Sequence, residues 1–354
     1  MRRDWNWLGA LIVMALFAGE ASALPAEYEV TLVKSGGGWI AFGLEINAHG
    51  EIIGWTTGYP GTAWTWEGGQ TTTLPLVYPS SEYSGVAAYG INDLGQAVGR
   101  AVDRDGVRHA CLWSGGTVTD LGALGAGESR ALAINNAGWV VGETTVQDGH
   151  THAFLWKDGV MTDLGTLGGT TSAAHAINSH GQIVGETTDA AGNRHGFLWQ
   201  NGTMTDLGTL GGSWSRANDI NDLGQIIGES ADAAGIMRAV LWDDGDIVQL
   251  TDGTRDMISG INNLGQIVGH SDGGGGPFLL EDGVKTNLET FTGADLSSAI
   301  DINDRGQIIV AGGAFSRSVY LLTPVPEPTC LSLLAIGALA TIRRRRKVRP
   351  RGSR

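Results

Sequence analysis

Short apolar runs separated by glycine-containing turns recur along most of the chain. In one copy, the apolar runs cover 172–178, 182–187, 195–199 and 203–209. The sequence NSHG at 178–181 separates the first two runs, and NG at 201–202 separates the last two. Asparagine bonds to its own following backbone and glycine accepts the left-handed conformation, so both segments are typical of tight β-turns. The pattern predicts a meander of four short strands in each copy.

The copies follow one another at a nearly constant distance. A phrase of the form INxxG places its asparagine at positions 47, 92, 135, 178, 221, 262 and 303, so the steps are 45, 43, 43, 43, 41 and 41. A second phrase, HAFLWKDGVMTDLGTLGG at 152–169, returns as HGFLWQNGTMTDLGTLGG at 195–212. A period near 43 with four strands fits one blade of a β-propeller, at roughly 40 to 50 residues per blade. We therefore predict an all-β, seven-bladed propeller.

The ends of the repeat region predict how the ring closes. The seventh copy, 298–322, lacks a fourth strand, whereas 28–33 forms a strand pattern that belongs to no copy. Pairing the two completes seven blades and closes the ring with an N-terminal strand. An open solenoid is the alternative, but it leaves both terminal blades uncapped.

Residues that recur at one repeat position are interpreted as structural. They are His109, His152 and His195; Asp120, Asp163 and Asp206; and Trp66, Trp113, Trp156, Trp199 and Trp242. Neighbouring blades lie about 10 Å apart, whereas zinc requires ligands at about 2 Å, so one ion cannot bind one histidine from each blade. We expect the aspartates to protect edge strands and the tryptophans to pack between blades. Exposed sugar-stacking tryptophans are the alternative.

Polar and aromatic residues outside the repeated pattern are the candidates for a ligand site. We predict a ligand face at the end of the blades that carries the longer loops, with Trp39, Arg130, His175, Trp214, Arg216 and Asp219. Ordinary loop packing is the alternative for each of them. The chain has no GxSxG, HExxH or phosphate-binding glycine loop, so no catalytic residue or cofactor is assigned. Asp-Gly loops such as 103–106 are expected to form turns, with Ca²⁺ binding as the weaker alternative.

Composition restricts the partners. Residues 24–325 carry 13 Lys and Arg against 34 Asp and Glu, a balance of −21, since the remaining basic residues lie in the two ends. This surface repels phosphate backbones, which argues against nucleic-acid binding. The two cysteines are expected to be unpaired, with Cys111 as a core substitution for the phenylalanine of sister repeats.

Both ends of the chain have the pattern of export and sorting signals. Arg2 and Arg3 precede an apolar run that ends at the small residues Ala21 and Ala23, which predicts a cleaved signal peptide at 1–23. The segment 323–354 contains Pro326, Glu327 and Pro328, a short apolar run at 330–342, and then Arg343, Arg344, Arg345 and Arg346. Basic residues after an apolar segment hold the C-terminus in the cytoplasm and leave the repeats outside.

The motifs quoted above resemble two known families. The phrase HAFLW…MTDLGTLGG…INxxGQIVG over most of 28–322 resembles the HAF family of probable extracellular repeats. The tail resembles the PEP-CTERM sorting signal, and this resemblance implies recognition by an exosortase, cleavage and passage to the bacterial surface or exopolysaccharide matrix. The seventh repeat departs from the family pattern, because it reads IIV where other copies end in glycine.

These observations predict three segments: a signal peptide (1–23), a propeller (24–322) and a sorting segment with a short transmembrane helix (323–354). The expected function is a binding or structural component of the cell surface, with polysaccharide or other surface proteins as partners. A glycan-active lyase or hydrolase on the same scaffold is the alternative. It would use Arg130, His175, Arg216 and Asp219 as its acids and bases.

Overall fold

The apolar runs and glycine turns fold into seven antiparallel units of four strands, the blades of a β-propeller, and one parallel bridge joins two of these units into an eight-stranded sheet. The computed structural model describes residues 28–35, 41–56, 61–76, 85–252, 256–271, 275–292, 296–312 and 318–325. Residues Glu29–Thr323 form one compact unit. The predicted fold class and repeat length are confirmed, whereas the signal peptide and the part of the sorting segment after residue 325 lie outside the described residues.

Each blade has four strands. In chain order within each repeat, the first strand lies nearest the axis. The N-terminal strand β1 covers Tyr28–Ser35 and precedes the first repeat. Blades one to three contain β2 (Ala41–Ile46), β3 (Ile52–Thr56), β4 (Thr62–Glu67), β5 (Gln70–Thr73), β6 (Ala87–Ile91), β7 (Ala97–Val102), β8 (Arg108–Ser114), β9 (Thr117–Gly122), β10 (Ser129–Ile134), β11 (Val140–Thr145), β12 (Thr151–Lys157) and β13 (Val160–Asp163). Blades four to six contain β14 (Gly168–Ile177), β15 (Ile183–Asp189), β16 (Arg194–Gln200), β17 (Thr203–Asp206), β18 (Gly211–Ile220), β19 (Ile226–Asp232), β20 (Met237–Asp243), β21 (Asp246–Gln249), β22 (Asp256–Ile261), β23 (Ile267–Ser271), β24 (Gly276–Glu281) and β25 (Val284–Asn287). A helical turn, α1 (Glu289–Thr292), precedes the seventh blade, which contains β26 (Leu296–Ile302), β27 (Ile308–Gly312) and β28 (Ser318–Pro324).

The turns have the chemistry that the sequence predicts. Asn178 Oδ1 accepts the amide hydrogens of His180 at 3.1 Å and Gln182 at 3.0 Å, which fixes the turn between β14 and β15. Between β12 and β13, Asp158 and Gly159 have φ angles of 51° and 83°, the double positive φ of a type I′ turn. The fourth strand was predicted too long: β17 ends at Asp206, not at residue 209. The carboxylate of Asp206 accepts the amide hydrogen of Gly208 at 2.8 Å, and the chain turns at this point.

Every innermost strand has a β-bulge three residues before its turn asparagine. The pairing register shifts between Ala174 and Ala176 in β14, and between Ala217 and Asp219 in β18. A bulge adds one residue to one strand and redirects the neighbouring side chains. The side chains at and directly after the bulge therefore share the wall of the axial channel.

The hydrophobic core is divided into layers between neighbouring blades. In one layer, Val98 of blade two packs with Ala131, Val140 and Phe154 of blade three. The small residues predicted for the axis are buried, with Ala131, Ala174 and Ala217 at 0% exposure. Small side chains allow the innermost strands to approach one another closely.

The residues in repeat register take the predicted packing roles. Trp66, Trp113 and Trp242 are 5%, 2% and 3% exposed, and each belongs to a core layer between two blades. Cys111 is 1% exposed and unpaired, so its interpretation as a core substitution is confirmed. Trp156 and Trp199 are half-buried and pack against the same type of layer.

The repeated histidines and aspartates bind each other. The Nδ1 atoms of His109, His152 and His195 lie 2.9, 2.9 and 2.6 Å from a carboxylate oxygen of Asp120, Asp163 and Asp206. The aspartates therefore have a partner on the neighbouring strand, a role that the edge-protection hypothesis missed. A serine of the next blade continues the network, because Ser172 Oγ accepts the amide of Ala153 at 2.8 Å and donates to Gly165 O at 2.5 Å. The repeated phrase thus encodes the joint between two blades.

The N-terminal strand closes the ring as predicted. Strand β1 pairs with β28 as the outermost strand of blade seven, whose order is β1-β28-β27-β26. Val33 of β1 packs in one core layer with Val319, Leu321 and the tryptophans Trp64 and Trp66 of blade one. The closed ring is therefore confirmed over the open solenoid.

A ring of asparagine side chains closes the propeller a second time. Each turn asparagine donates a hydrogen bond from Nδ2 to the backbone carbonyl of the equivalent asparagine in the next blade. The seven bonds are 47→92, 92→135, 135→178, 178→221, 221→262, 262→303 and 303→47, at 2.9–3.1 Å. The last bond crosses the seam where the chain ends meet. These asparagines are 3–5% exposed, so the ring is buried.

Candidate functional site

The axial channel is lined by the bulged residues of the innermost strands. A cavity of about 170 Å³ lies in the channel. The third residue before each turn asparagine contributes to its wall, in the order Leu44, Tyr89, Leu132, His175, Asn218, Ser259 and Ile300. Carboxylates of Glu45, Asp219 and Asp301, two residues before the asparagine, complete the wall. The cavity can hold about six water molecules, at roughly 30 Å³ each.

The three channel carboxylates connect blades. Glu45, Asp219 and Asp301 accept the amide hydrogens of Ile91 at 3.0 Å, Ile261 at 3.0 Å and Ile46 at 2.9 Å, each from the following blade. Burial raises the pKa of Asp219 to about 6 and that of Asp301 to about 7, and repulsion from Asp219 adds to the shift of Asp301. Burial and the charge of Asp301 also raise the pKa of Glu45. Asp219 therefore lies in the channel wall, deeper than the loop face for which it was predicted.

His175 also lies in the channel and contacts the next blade. Its Nδ1 lies 2.8 Å from Ala217 O, so this nitrogen carries the proton and donates to the carbonyl. Burial, together with the positive charges of Arg216 and Arg130, lowers the pKa of His175 to about 4. The imidazole is therefore neutral at physiological pH.

Arg130 and Arg216 lie at the end of the channel opposite the asparagine ring. Both stand five residues before the turn asparagine, on β10 and β18. Arg130 Nη2 is 2.8 Å from Glu143 Oε1, and its guanidinium carbon is 5.7 Å from the centre of the Tyr89 ring. Arg216 Nε is 3.9 Å from Glu186 Oε2. The structure thus brings Arg130, Arg216 and the deeper His175 to one mouth of the channel.

The predicted tryptophans have different outcomes. Trp214 precedes Arg216 by two residues and pairs with Arg194 in a parallel bridge between β18 and β16, which joins blades four and five. Its side chain is half-buried at the same end of the blades. Trp39 lies outside the described residues, as do Ala21, Ala23 and the sorting residues.

Sequence reasoning missed the acidic partners of these arginines. On the second strand of the blade, Glu143 lies opposite Arg130 and Glu229 lies opposite Arg216. Glu186 occupies the same repeat position in blade four. In blade two this position is Arg100. The sequence did contain a sign of this charged position. In blades two to five, one charged residue follows the glycine on the second strand of the blade, as in GRAV at 99–102 and GETT at 142–145.

Two clefts open between blades at this end, which we call the arginine–glutamate face. The first cleft, between blades two and three, has a volume of about 100 Å³ and includes Arg100, Arg108, Glu128, Arg130 and Glu143. The second cleft, between blades three and four, has a volume of about 240 Å³ and includes Glu143, Thr151, Thr171, Glu186 and Arg194. Glu143 and Thr151 line both clefts, so the two are adjacent.

The opposite end has cavities of another kind. About 210 Å³ opens over the asparagine ring, lined by backbone and side chains that already bond to one another. A wider groove of about 500 Å³ lies near the turns of blades four and five, with Leu198, Leu207 and Leu223 beside the carboxylates of Asp222 and Asp243. Both cavities are lined in part by residues of the asparagine-containing turn that repeats in every blade.

The described residues offer no evident metal centre or membrane span. Within them, no three side chains of His, Cys, Asp or Glu converge on a possible metal position. In the Asp-Gly loop, Asp103 Oδ1 accepts the amides of Asp105 at 2.9 Å and Val107 at 2.8 Å, so its carboxylate holds a turn. None of the helices that the structure describes is long and apolar enough to cross a membrane.

No family model matches the sequence, and the comparison with curated proteins found no match. Among solved structures, the β-propeller domain of the Trilobed protease from Pyrococcus furiosus is similar with a TM-score of 0.57 and 8% identity, covering 81% of this chain and 96% of that one. YCF48 bound to D1 peptide has a TM-score of 0.54 and 12% identity, covering 87% and 99%.

TolB from Acinetobacter baumannii reaches only 0.46 with 13% identity, and the match covers 77% of this chain and 63% of TolB. The Pyrococcus domain has an open velcro topology, whereas β1 completes blade seven here. The first two similarities show the fold: the chain is a β-propeller.

Proposed function

We propose that the protein is a binding or structural component of the bacterial cell surface or exopolysaccharide matrix, and that the arginine–glutamate face takes its ligand. The observation that carries the proposal is the pair of open, charged clefts at this face. A rigid scaffold that presents unlike residues at equivalent loop-end positions is typical of a binding surface. The propeller neighbours support a generic binding or scaffold role without indicating a ligand.

The sequence supports the proposed location. The residues around Ala21 and Ala23 favour export, and Pro326-Glu327-Pro328 with Arg343 to Arg346 favours temporary retention in the membrane followed by exosortase processing. The balance of −21 over 24–325 suits a soluble extracellular surface. Mass spectrometry of surface-extracted protein should find residues 1–23 and the arginine-rich tail removed. An intact tail in the mature protein would argue against this route.

The glycan-active enzyme is less well supported. Of the described carboxylic acids with raised pKa values, Glu229 accepts a hydrogen bond from Asn218 Nδ2 at 3.1 Å. The other three, Glu45, Asp219 and Asp301, each accept a backbone amide from the next blade. The cavity they line has room for a few water molecules rather than a sugar chain. Their contacts therefore favour a structural role in holding the blades together.

The test is a glycan and surface-protein binding screen with the double variant Trp214→Ala/Arg216→Ala. We expect this variant to lose at least tenfold in affinity for whichever ligand the native protein binds. Arg305→Ala serves as the control, because Arg305 is an exposed arginine that contacts His49 O at 3.3 Å at the asparagine end. Unchanged affinity in the double variant, or an equal loss in the control, would refute the assignment of this face.

A further inference from the structure

The two adjacent clefts of the arginine–glutamate face differ in charge although they occupy equivalent repeat positions. At the repeat positions of Arg100, Arg108 and Glu128, the next blade has other residues. They are Glu143, Thr151 and Thr171, each 43 residues later. The first cleft therefore has three arginines and two glutamates, and the second is lined mainly by hydroxyl groups. Such a change within otherwise similar blades is not required by the fold.

The first cleft contains three arginines, and not all of their N–H groups have a partner within the described ranges of the chain. Arg108 Nη1 bonds to Glu128 at 2.9 and 3.1 Å, and Arg130 is paired with Glu143 at 2.8 Å. Arg100 has no carboxylate partner among the described residues. The Nε atom of Arg130 is buried and likewise has no hydrogen-bond acceptor in the described part of the chain. Acceptor oxygens of a ligand in this cleft can pair with the guanidinium of Arg100, which gains a partner on binding.

The size of the first cleft restricts the anion. About 100 Å³ holds roughly three water molecules, which suits one carboxylate or sulfate group rather than a whole sugar ring. Guanidinium groups recognise both anions through paired N–H donors. The cleft lies in a region with a balance of −21, so its excess cation is a local feature of this site.

The second cleft suits a hydroxylated ring. It has about 240 Å³, and its wall includes Thr151, Thr171, Thr187 and Thr188. Its Glu186 is neutralised by Arg194 at 3.0 Å, so the cleft offers both acceptors and donors without a large net charge. In the next blade, the repeat position of Thr171 is taken by Trp214, which provides an aromatic surface at the end of the row.

Resting on the proposed function of this face, we propose that the two clefts bind one anionic oligosaccharide, with its acidic group in the first cleft and the adjoining sugar in the second. Because neighbouring blades lie about 10 Å apart, the ligand must extend over more than one sugar unit. The shared chemistry is an anionic group on a sugar. A uronic acid and a sulfated sugar are its two sources.

The experiment measures binding of three oligosaccharides of equal length, polyuronate, sulfated and neutral, to the full-length mature protein by calorimetry at fixed ionic strength. We expect at least one anionic oligosaccharide to bind tenfold or more tightly than the neutral one. Arg100→Gln should remove this preference, whereas Arg100→Lys should keep most of it because the positive charge remains. Arg305→Gln should change nothing. Melting curves of all variants establish that the fold is kept.

The outcomes separate the two proposals. If neutral and anionic oligosaccharides bind equally, or if Arg100→Gln binds like the native protein, the anionic-ligand inference is wrong while the binding face survives. If inorganic sulfate alone binds as tightly as the sulfated oligosaccharide, the cleft recognises an anion but not a sugar, which also overturns the inference. If none of the oligosaccharides binds, the inference fails, and the wider screen with Trp214→Ala/Arg216→Ala then decides the face itself.

Discussion

The two ends of the propeller channel are built from the same repeat but obey different rules. At one end, an asparagine stands in all seven blades and each side chain bonds to the next blade. At the other end, the residue five positions earlier changes from Arg130 to Ala173, Arg216, Met257 and Ser298 along blades three to seven. The comparison separates positions that the fold requires from positions that it leaves free.

Hydrogen bonding explains the difference. The side chain of Asn178 accepts two amides of its own turn and donates to the carbonyl of Asn221, so a substitution leaves several buried groups unpaired. The guanidinium of Arg216 lies 3.9 Å from the carboxylate of Glu186, and the side chain is exposed. A ligand site can therefore diverge at the arginine–glutamate face without a large loss of stability.

The largest expected effect comes from removing the closing strand. A variant lacking residues 1–34 loses β1, which exposes the edge of β28 together with Val319 and Leu321. Burial of each such side chain contributes about 1.5–3 kcal/mol, and each kcal/mol corresponds to about 2–4 °C in domains of roughly 150–250 residues and to less in larger ones. We expect a melting temperature several degrees lower, or aggregation through the open edge. Differential scanning calorimetry measures this change.

The matched control lacks only residues 1–23 and keeps β1. It should melt like the full chain. Equal melting temperatures and equal solubility for the two truncations would contradict ring closure by β1. The asparagine ring would then be the main closure of the propeller.

The second largest effect is expected at the asparagine ring, and it is compared with a substitution at the arginine–glutamate face. Asn178→Ala removes one inter-blade bond at 3.1 Å, two bonds from backbone amides of the turn and the bond to Gln182 Oε1 at 2.6 Å, all at a residue that is 4% exposed. We expect a loss of about 2–4 kcal/mol in unfolding free energy, measured by urea denaturation. Arg216→Ala should change it by no more than about 0.5 kcal/mol, as for most exposed positions. Comparable losses in the two variants would erase the distinction between the ends.

The sequence predicted the regular part of the molecule and less of its site. Turn signals at fixed spacing indicated four strands per blade, and the unpaired strand pattern at 28–33 indicated the closure, because each depends on local chemistry. The asparagine ring joins residues 41 to 45 positions apart, and 256 positions apart at the seam, so only the repeat period indicates it. Asp219 was placed at the loop face because a sequence does not reveal a bulge, whereas the bulge between Ala217 and Asp219 turns this carboxylate into the channel.

A third prediction concerns the channel between the two ends. Because the pKa of Asp301 is raised to about 7 from 3.8, the folded state binds more protons than the unfolded state between these values. Its contribution to stability is therefore present at low pH and is lost as the pH rises through 7. His175, with its pKa lowered to about 4, acts in the opposite sense, since the unfolded state takes up its proton first.

Asp301→Asn isolates the carboxylate from these other groups. Between pH 8 and 5.5, the native protein should gain about 1–2 kcal/mol more stability than the variant, since one pKa unit corresponds to about 1.4 kcal/mol. Melting temperatures of both proteins at a series of pH values measure the difference between the two slopes. Parallel profiles would mean that Asp301 does not titrate in this range.

The smallest expected effect tests whether repetition alone indicates a large energy. The pair His195–Asp206 recurs in three blades, with the nitrogen and oxygen 2.6 Å apart, but it lies on the outer strands and the Asp206 side chain is 41% exposed. Solvent screens such a pair, so His195→Gln should cost less than about 1 kcal/mol, well below the loss for Asn178→Ala. A double-mutant cycle with Asp206→Asn measures the coupling free energy, which we expect to be about 0.2–1 kcal/mol. If the coupling equals the cost of the asparagine variant, then distance from the axis does not decide the energy of a repeated contact. The outer pairs would in that case stabilise their own blades as strongly as the buried asparagines stabilise the ring.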